Sequence, residues 1–147
     1  MNDLIFPHVE LATSSEHGKT VVFDILRKKN IVLTPEEWVR QHLVHYLIHM
    51  RAYPKSLIAL EDGLRYAGMK KRSDVVVYDR AGDVFMLVEC KSPRVKIRQK
   101  SMEQLSLYNQ QYKAKYIVLT NGLSLLVYQM DYATRQFNLQ QDIPDYK

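Results

Sequence analysis

The chain is 147 residues long, 46% hydrophobic and 25% charged, which excludes a disordered chain and suits a globular domain with a core. No apolar run approaches the ~20 residues of a membrane helix, and a single cysteine, Cys90, excludes an internal disulfide framework. A formal net charge of +5 favours a polyanionic partner, and no membrane partner is expected.

The first ten residues carry two acids and no basic leader, so a signal peptide is not expected. With the lone thiol, this makes the cytoplasm the expected compartment. No repeat, low-complexity tract or linker interrupts the chain, so residues 1–147 are expected to form one domain with its core over 21–130. Residues 21–26 (VVFDIL) predict a strand and 27–30 a turn. Thr34 is a natural N-cap, Pro35 suits the first helical position, and Glu37 completes a capping box, so a helix should run to about Ala52. Val39, Leu43, Tyr46, Leu47 and Met50 share one face of it, widened by Val44 and Ile48. Residues 57–66 predict a strand and 67–70, with Gly68, its turn. Residues 73–79 and 84–91 predict two more strands, and 98–112 a second helix. Asn121-Gly122 between the apolar runs 116–120 and 123–130 is a strong hairpin signal. The polar tail, 131–147, is expected to be irregular. The order of elements predicts an α/β fold, a mixed central β-sheet flanked by helices.

The hairpin at Gly82 carries the chemistry. A four-residue loop over 80–83 would set Asp79 opposite Val84 and, counting back, Asp74 opposite Glu89. Cross-strand partners project to one side with Cβ atoms about 5 Å apart. Lys91, two residues beyond Glu89, points to that side too. Between them Val75, Val76, Val77, Leu87 and Val88 read as strands buried on both faces. A cross-strand salt bridge is one account of such charges, and it contributes little. Metal-assisted phosphodiester hydrolysis is the other. Two carboxylates repel, and Mg²⁺ or Mn²⁺ relieves the repulsion while keeping several waters. A bound cation polarises a phosphoryl oxygen and acidifies a coordinated water. Lys91 could orient or help deprotonate the attacking water, or stabilise charge on the phosphate.

Asp74 followed by Glu89-Cys90-Lys91 resembles the Asp…Glu-x-Lys motif of the PD-(D/E)XK nuclease superfamily. The likeness extends to Lys71-Arg72-Ser73-Asp74-Val75-Val76-Val77-Tyr78 and to Leu87-Val88-Glu89-Cys90-Lys91-Ser92-Pro93. It continues through Gln104 and Tyr108 (Gln-x-x-x-Tyr) to Tyr116-Ile-Val-Leu-Thr-Asn-Gly122. This series resembles the N-terminal nuclease domain of type I restriction enzyme R subunits, over residues 33–128. The resemblance implies a restriction-endonuclease-like core, Asp74 and Glu89 as metal ligands with the Cys90 carbonyl, and Lys91 as catalytic lysine. It also implies that Gln104 and Tyr108 lie beside the active site and support DNA handling. Without the family, that pair reads as a polar residue and a core aromatic on an amphipathic helix. Ser73 stands where many relatives carry proline. No helicase motor is expected within this chain, so translocation would fall to another component.

Other residues are weighed against plainer roles. Glu36 projects near the centre of the apolar arc of the first helix, where a carboxylate is costly unless paired or metal-bound. It is the preferred third acid, with Glu61 its rival. His42, His45 and His49 form a helical stripe, but one opposite the apolar face with no nearby cysteine or acid. A solvated or partner-facing surface is expected there rather than zinc. The Cys90 side chain is expected in the core. Lys71 and Arg72, with Arg94, Lys96, Arg98 and Lys100, form two basic clusters suited to gripping a nucleic acid backbone without base readout. The reading is a DNA endonuclease dependent on Mg²⁺ or Mn²⁺. A silent or partner-dependent DNA-binding module of the same fold is the alternative, and a motor or specificity subunit, or a second copy, is a conceivable partner.

Overall fold

The computed structural model describes residues 3–60, 64–66, 69–71 and 75–147, with side chains over 3–60 and 75–147. An N-terminal three-stranded meander comes first: β1 (Thr13–Glu16), β2 (Lys19–Asp24) and β3 (Lys29–Val32), in the order β1-β2-β3. β1 escapes a hydrophobicity-based reading because all four of its residues are exposed. It joins β2 through His17 and Gly18, whose φ of 50° and 76° are the paired left-handed conformations of a two-residue hairpin loop. The strand expected over 21–26 ends earlier, at Asp24, and the chain turns over 25–28 instead of 27–30. The cause is Asp24, whose Oδ1 accepts from the Leu26 and Arg27 N–H groups at 2.8 and 2.9 Å.

Helix α1 (Pro35–Met50) starts where its cap demands, with the Thr34 hydroxyl accepting from the Glu37 N–H at 3.0 Å. Val39, Leu43, Val44 and Leu47 are buried as expected, while Tyr46 and Ile48 pack at the margin. Met50 is a correction: it is 58% exposed, in the last turn of the helix. The expected strand over 57–66 is divided among a 3₁₀ turn (Lys55–Leu57), β4 (Ile58–Ala59) and β5 (Leu64–Tyr66). β5 pairs with β6 (Met69–Lys71). Then follow β7 (Val75–Tyr78), β8 (Val84–Cys90), α2 (Gln99–Tyr108), β9 (Tyr116–Thr120), β10 (Leu125–Asp131) and β11 (Gln136–Gln140).

The main sheet has the order β11-β10-β9-β8-β7-β4. β8 and β9 run parallel, bridged by α2, and every other pair in it is antiparallel. Side-chain alternation sorts the sheet into two faces. Val75, Val77, Met86, Val88, Cys90 and Val118 cluster with α1, whereas Val76, Leu87, Ile117 and Leu119 cluster with Met102, Leu105 and Tyr108 of α2. The two helices therefore cover opposite faces. Among the described residues no helix is long and apolar enough to cross a membrane.

The polar tail is also a correction, because it is not irregular throughout. β11 extends the sheet, and beyond it Ile143 is buried while Arg51, after the end of α1, pairs with Asp142 and Asp145 at 2.8 and 3.3 Å. The Tyr53 hydroxyl donates to the Pro144 carbonyl at 2.7 Å. Periodicity could not reveal this strap, since its partners lie some 90 residues earlier.

The Asn-Gly hairpin forms, but β10 begins at Leu125 rather than at 123, because Asn121 closes a longer loop. Gly122, with φ 82°, sits where an added Cβ would stand 2.7 Å from Leu4 Cδ2 and 3.1 Å from Val39 Cγ2. Gly122→Ala should therefore lower stability by about 1–2 kcal/mol through backbone strain and this contact, read as a lower urea midpoint at unchanged slope.

Candidate active site

The β7–β8 hairpin keeps the expected register along its inner length: Val75↔Val88, Val76↔Leu87 and Val77↔Met86. Nearer the turn a bulge intervenes, so Tyr78 rather than Asp79 faces Val84. Asp79 instead organises the loop, its Oδ1 accepting from the Ala81 and Asp83 N–H groups, both at 2.9 Å. The bulge falls between Val77 and Tyr78, and the three valines keep their partners.

Glu89 is 3% exposed, between Val88 and Cys90 near the carboxyl end of β8. Since Val88 and Cys90 face α1, Glu89 projects to the α2 face. Lys91 projects with it, as expected: its Nζ lies 3.4 Å from Glu89 Oε2, with the lysine side chain 30% exposed and the carboxylate nearly enclosed. A carboxylate withdrawn from water needs such a partner. The Lys91 N–H is in turn held by the Thr120 carbonyl at 2.8 Å, which fixes where the lysine leaves the strand. The Cys90 thiol is buried against α1, in the expected core role.

Asp74, Arg72 and Glu61 lie outside the described residues, and Lys71 belongs to β6 without a described side chain. Arg94, Lys96, Arg98 and Lys100 are exposed along the connection from β8 into α2, and Gln104 is exposed on α2. Tyr108 is 1% exposed, packed between α2 and the sheet with its hydroxyl 3.3 Å from that of Tyr112. Its burial supports the core role weighed for it and leaves no surface for a nucleic acid. Glu89, Lys91, the basic connection and the end of β9 all gather at the carboxyl ends of the two parallel strands. In open α/β sheets such ends border the binding crevice.

Helix α1 corrects two further expectations. Glu36 is one-third exposed and pairs with Arg40 at 3.3 Å. The buried acid is Glu37, whose carboxylate meets Arg40 Nη1 at 2.6 Å and Gln41 Nε2 at 3.0 Å instead of only closing a capping box. Gln41 also donates to Asp24 at 3.0 Å, tying the meander to the helix. The i, i+3 and i, i+4 spacing of Glu37, Arg40 and Gln41 carried that signal; the join to Asp24 had none. Nor is the histidine stripe solvated throughout. His42 is 2% exposed, because the segment carrying Leu4, Phe6 and His8 crosses it and Trp38 lies alongside.

A hard oxygen donor such as Glu89 is the kind of ligand that Mg²⁺ prefers. Among the described residues no three His, Cys, Asp or Glu side chains are grouped to hold a metal. A groove of about 740 Å³ between α2 and β10–β11 is lined by Met102, Leu107, Tyr128, Met130 and Phe137 among others, and contains neither Glu89 nor Lys91.

The family described as the type I restriction enzyme R protein N terminus matches residues 35–144. The chain belongs to that family. Among solved structures, it is similar to a fragment assigned to the HsdR subunit of a type I restriction enzyme from Vibrio vulnificus YJ016. The two share 24% identity over 59% of this chain and 16% of that one, with a TM-score of 0.38. Comparison with curated proteins finds no match.

Two predictions follow from the side chains around α1. Arg40→Met removes the nearest cation from buried Glu37, leaving it Gln41 at 3.0 Å and Arg27 at 3.8 Å, and should cost about 1–3 kcal/mol of unfolding free energy in urea titration. Burial pushes the His42 imidazole below its usual 6.5, and nearby His8 adds to this, against the opposing hydrogen bond with the Trp38 carbonyl. Folded His42 is thus harder to protonate than unfolded His42. Its contribution to stability is complete above pH 6.5 and is lost as pH falls toward the lower folded value. The thermal midpoint should drop between pH 7 and 5, and His42→Gln should flatten that slope.

Proposed function

We propose that this R-protein N-terminal domain has a PD-(D/E)XK-type core and hydrolyses DNA phosphodiester bonds with Mg²⁺ or Mn²⁺. The observation that carries the reading is the buried Glu89 carboxylate, 3.4 Å from Lys91 at the carboxyl end of the central strand β8. Membership of the R-protein N-terminal family supports it. Asp74 and Glu89 would hold the cation, with the Cys90 carbonyl as a further ligand. When bound, the cation supplies charge neutralisation at the phosphate and a more acidic water.

The chain's own residues do the rest. Lys91, partly exposed beside Glu89, directs its ammonium at the attacking water or at a phosphate oxygen. The exposed Arg94, Lys96, Arg98 and Lys100 hold the backbone phosphates, and Gln104 lies on the same approach. One such site cuts one strand. Cleavage of both would take a second copy, and translocation a separate motor or specificity subunit. The alternative, a silent or partner-dependent DNA-binding module, is favoured by one observation: Glu89 and Lys91 already form an ion pair with each other.

Metal-dependent cleavage of plasmid and single-stranded DNA tests the proposal. Lys91→Ala and Asp74→Ala should each lower the cleavage rate about 100-fold or more. Wild-type protein that binds DNA without cutting it would favour the binding module, and activity surviving in both variants would place catalysis elsewhere.

A further inference from the structure

Asn121 has no part in the site described above, yet it is only 5% exposed and its amide is used at both ends. Its Oδ1 accepts from the Leu123 and Ser124 N–H groups at 2.9 and 2.8 Å and from the Ser124 hydroxyl at 3.2 Å, closing the β9–β10 loop. Its Nδ2 donates to the Val95 carbonyl at 2.8 Å, across 26 residues of sequence. Val95 lies in the connection that carries Arg94, Lys96 and Arg98.

At its far end the connection is anchored by Ile97, packed against the cluster that holds Met102 and Leu105, but its middle is exposed. Val95 is 44% exposed, and Arg94, Lys96 and Arg98 are exposed as well. The N–H groups of Arg94 and Val95 turn inward to Ser92, at 3.3 and 3.0 Å, which shapes the loop without attaching it. The Asn121 amide supplies a hydrogen bond that ties the exposed middle of residues 92–97 to the β9–β10 corner. Three like charges within five residues repel, so an unattached loop would spread into solvent. The preceding residue, Thr120, accepts from the Lys91 N–H, so one corner of the chain holds both Lys91 and the basic loop.

We propose that Asn121 is a positioning residue, whose single amide fixes the basic loop beside Lys91 so that the loop's cations meet the backbone phosphates of bound nucleic acid. This deepens the nuclease reading and rests on it. Asn121 touches no reacting atom. It acts by confining the loop before the nucleic acid arrives, which spares the ordering cost on binding.

The test is Asn121→Ser, which keeps a hydroxyl for the turn but is too short to reach the Val95 carbonyl. DNA affinity would be measured with Ca²⁺ in place of Mg²⁺, alone and in an Arg94→Ala/Lys96→Ala/Arg98→Ala background, together with amide hydrogen exchange. Affinity should fall about 10-fold in the single variant, the loss expected for one hydrogen bond, and be unaffected by Asn121→Ser in the triple background. Amides of residues 94–98 should exchange faster while those of β9 keep their protection. An unchanged exchange pattern, or an equal affinity loss in both backgrounds, would overturn the proposal. If β9 also loses protection, Asn121→Asp, which keeps the Oδ1 acceptor and loses only the donor, decides the matter by the same exchange criterion. If the wild type binds no DNA, the nuclease reading fails, while exchange at 94–98 still reports whether Asn121 holds the loop.

Discussion

The parallel pairing of β8 with β9 is the constraint on which the rest of the molecule depends. Parallel neighbours require a crossover, and here α2 provides it, leaving from the carboxyl end of β8 and returning the chain to the start of β9. Glu89, Lys91, the basic connection and the Thr120-Asn121 corner consequently share one end of the sheet. An antiparallel return would have separated the last of these from the others. The pairing also puts Val88 and Leu87 in the centre of the sheet, where both faces are buried, and that burial is what makes a carboxylate at Glu89 chemically unusual.

The two helices have different tasks. α2 covers the face to which Glu89 projects, and Tyr108 helps fasten it there. α1 covers the other face and gathers the periphery. Glu37, Arg40 and Gln41 reach to Asp24 in the meander, while Arg51 and Tyr53 take up the C-terminal strap. Membership of the type I R-protein N-terminal family rests on residues 35–144, a span that takes in both helices, the whole main sheet and most of the strap. The acids of α1 are therefore spoken for by arginine and glutamine, on the face away from Glu89.

Much of this was legible in the sequence, because the signals were local. Thr34, Pro35 and Glu37 announced the start of α1, the valine run announced a doubly buried strand, and the alternation around Cys90 sent its thiol to the core and Glu89 the other way. The inner register of the hairpin followed from counting. Where counting failed, at Asp79, the cause was a side chain that captured two backbone N–H groups and admitted a bulge. Met50 and His42 failed for another reason: a helical wheel gives the angle of a residue but not what covers it. Met50 lies in the last turn and is exposed, and the segment around Leu4 and Phe6 crosses His42.

The sequence by itself determined the kind of fold and the placing of Glu89 and Lys91 on one side of a strand, since each rests on period, caps or spacing within a few residues. The family was legible from the resemblance of a series of motifs over residues 33–128. Tertiary structure alone decided that Gln41 reaches Asp24 in the meander, that the polar tail straps α1, and that Asn121 reaches Val95. Those outcomes depend on hydrogen bonds and ion pairs between segments distant in sequence. Their energies exist only once the chain has brought such groups together, and no local pattern encodes them.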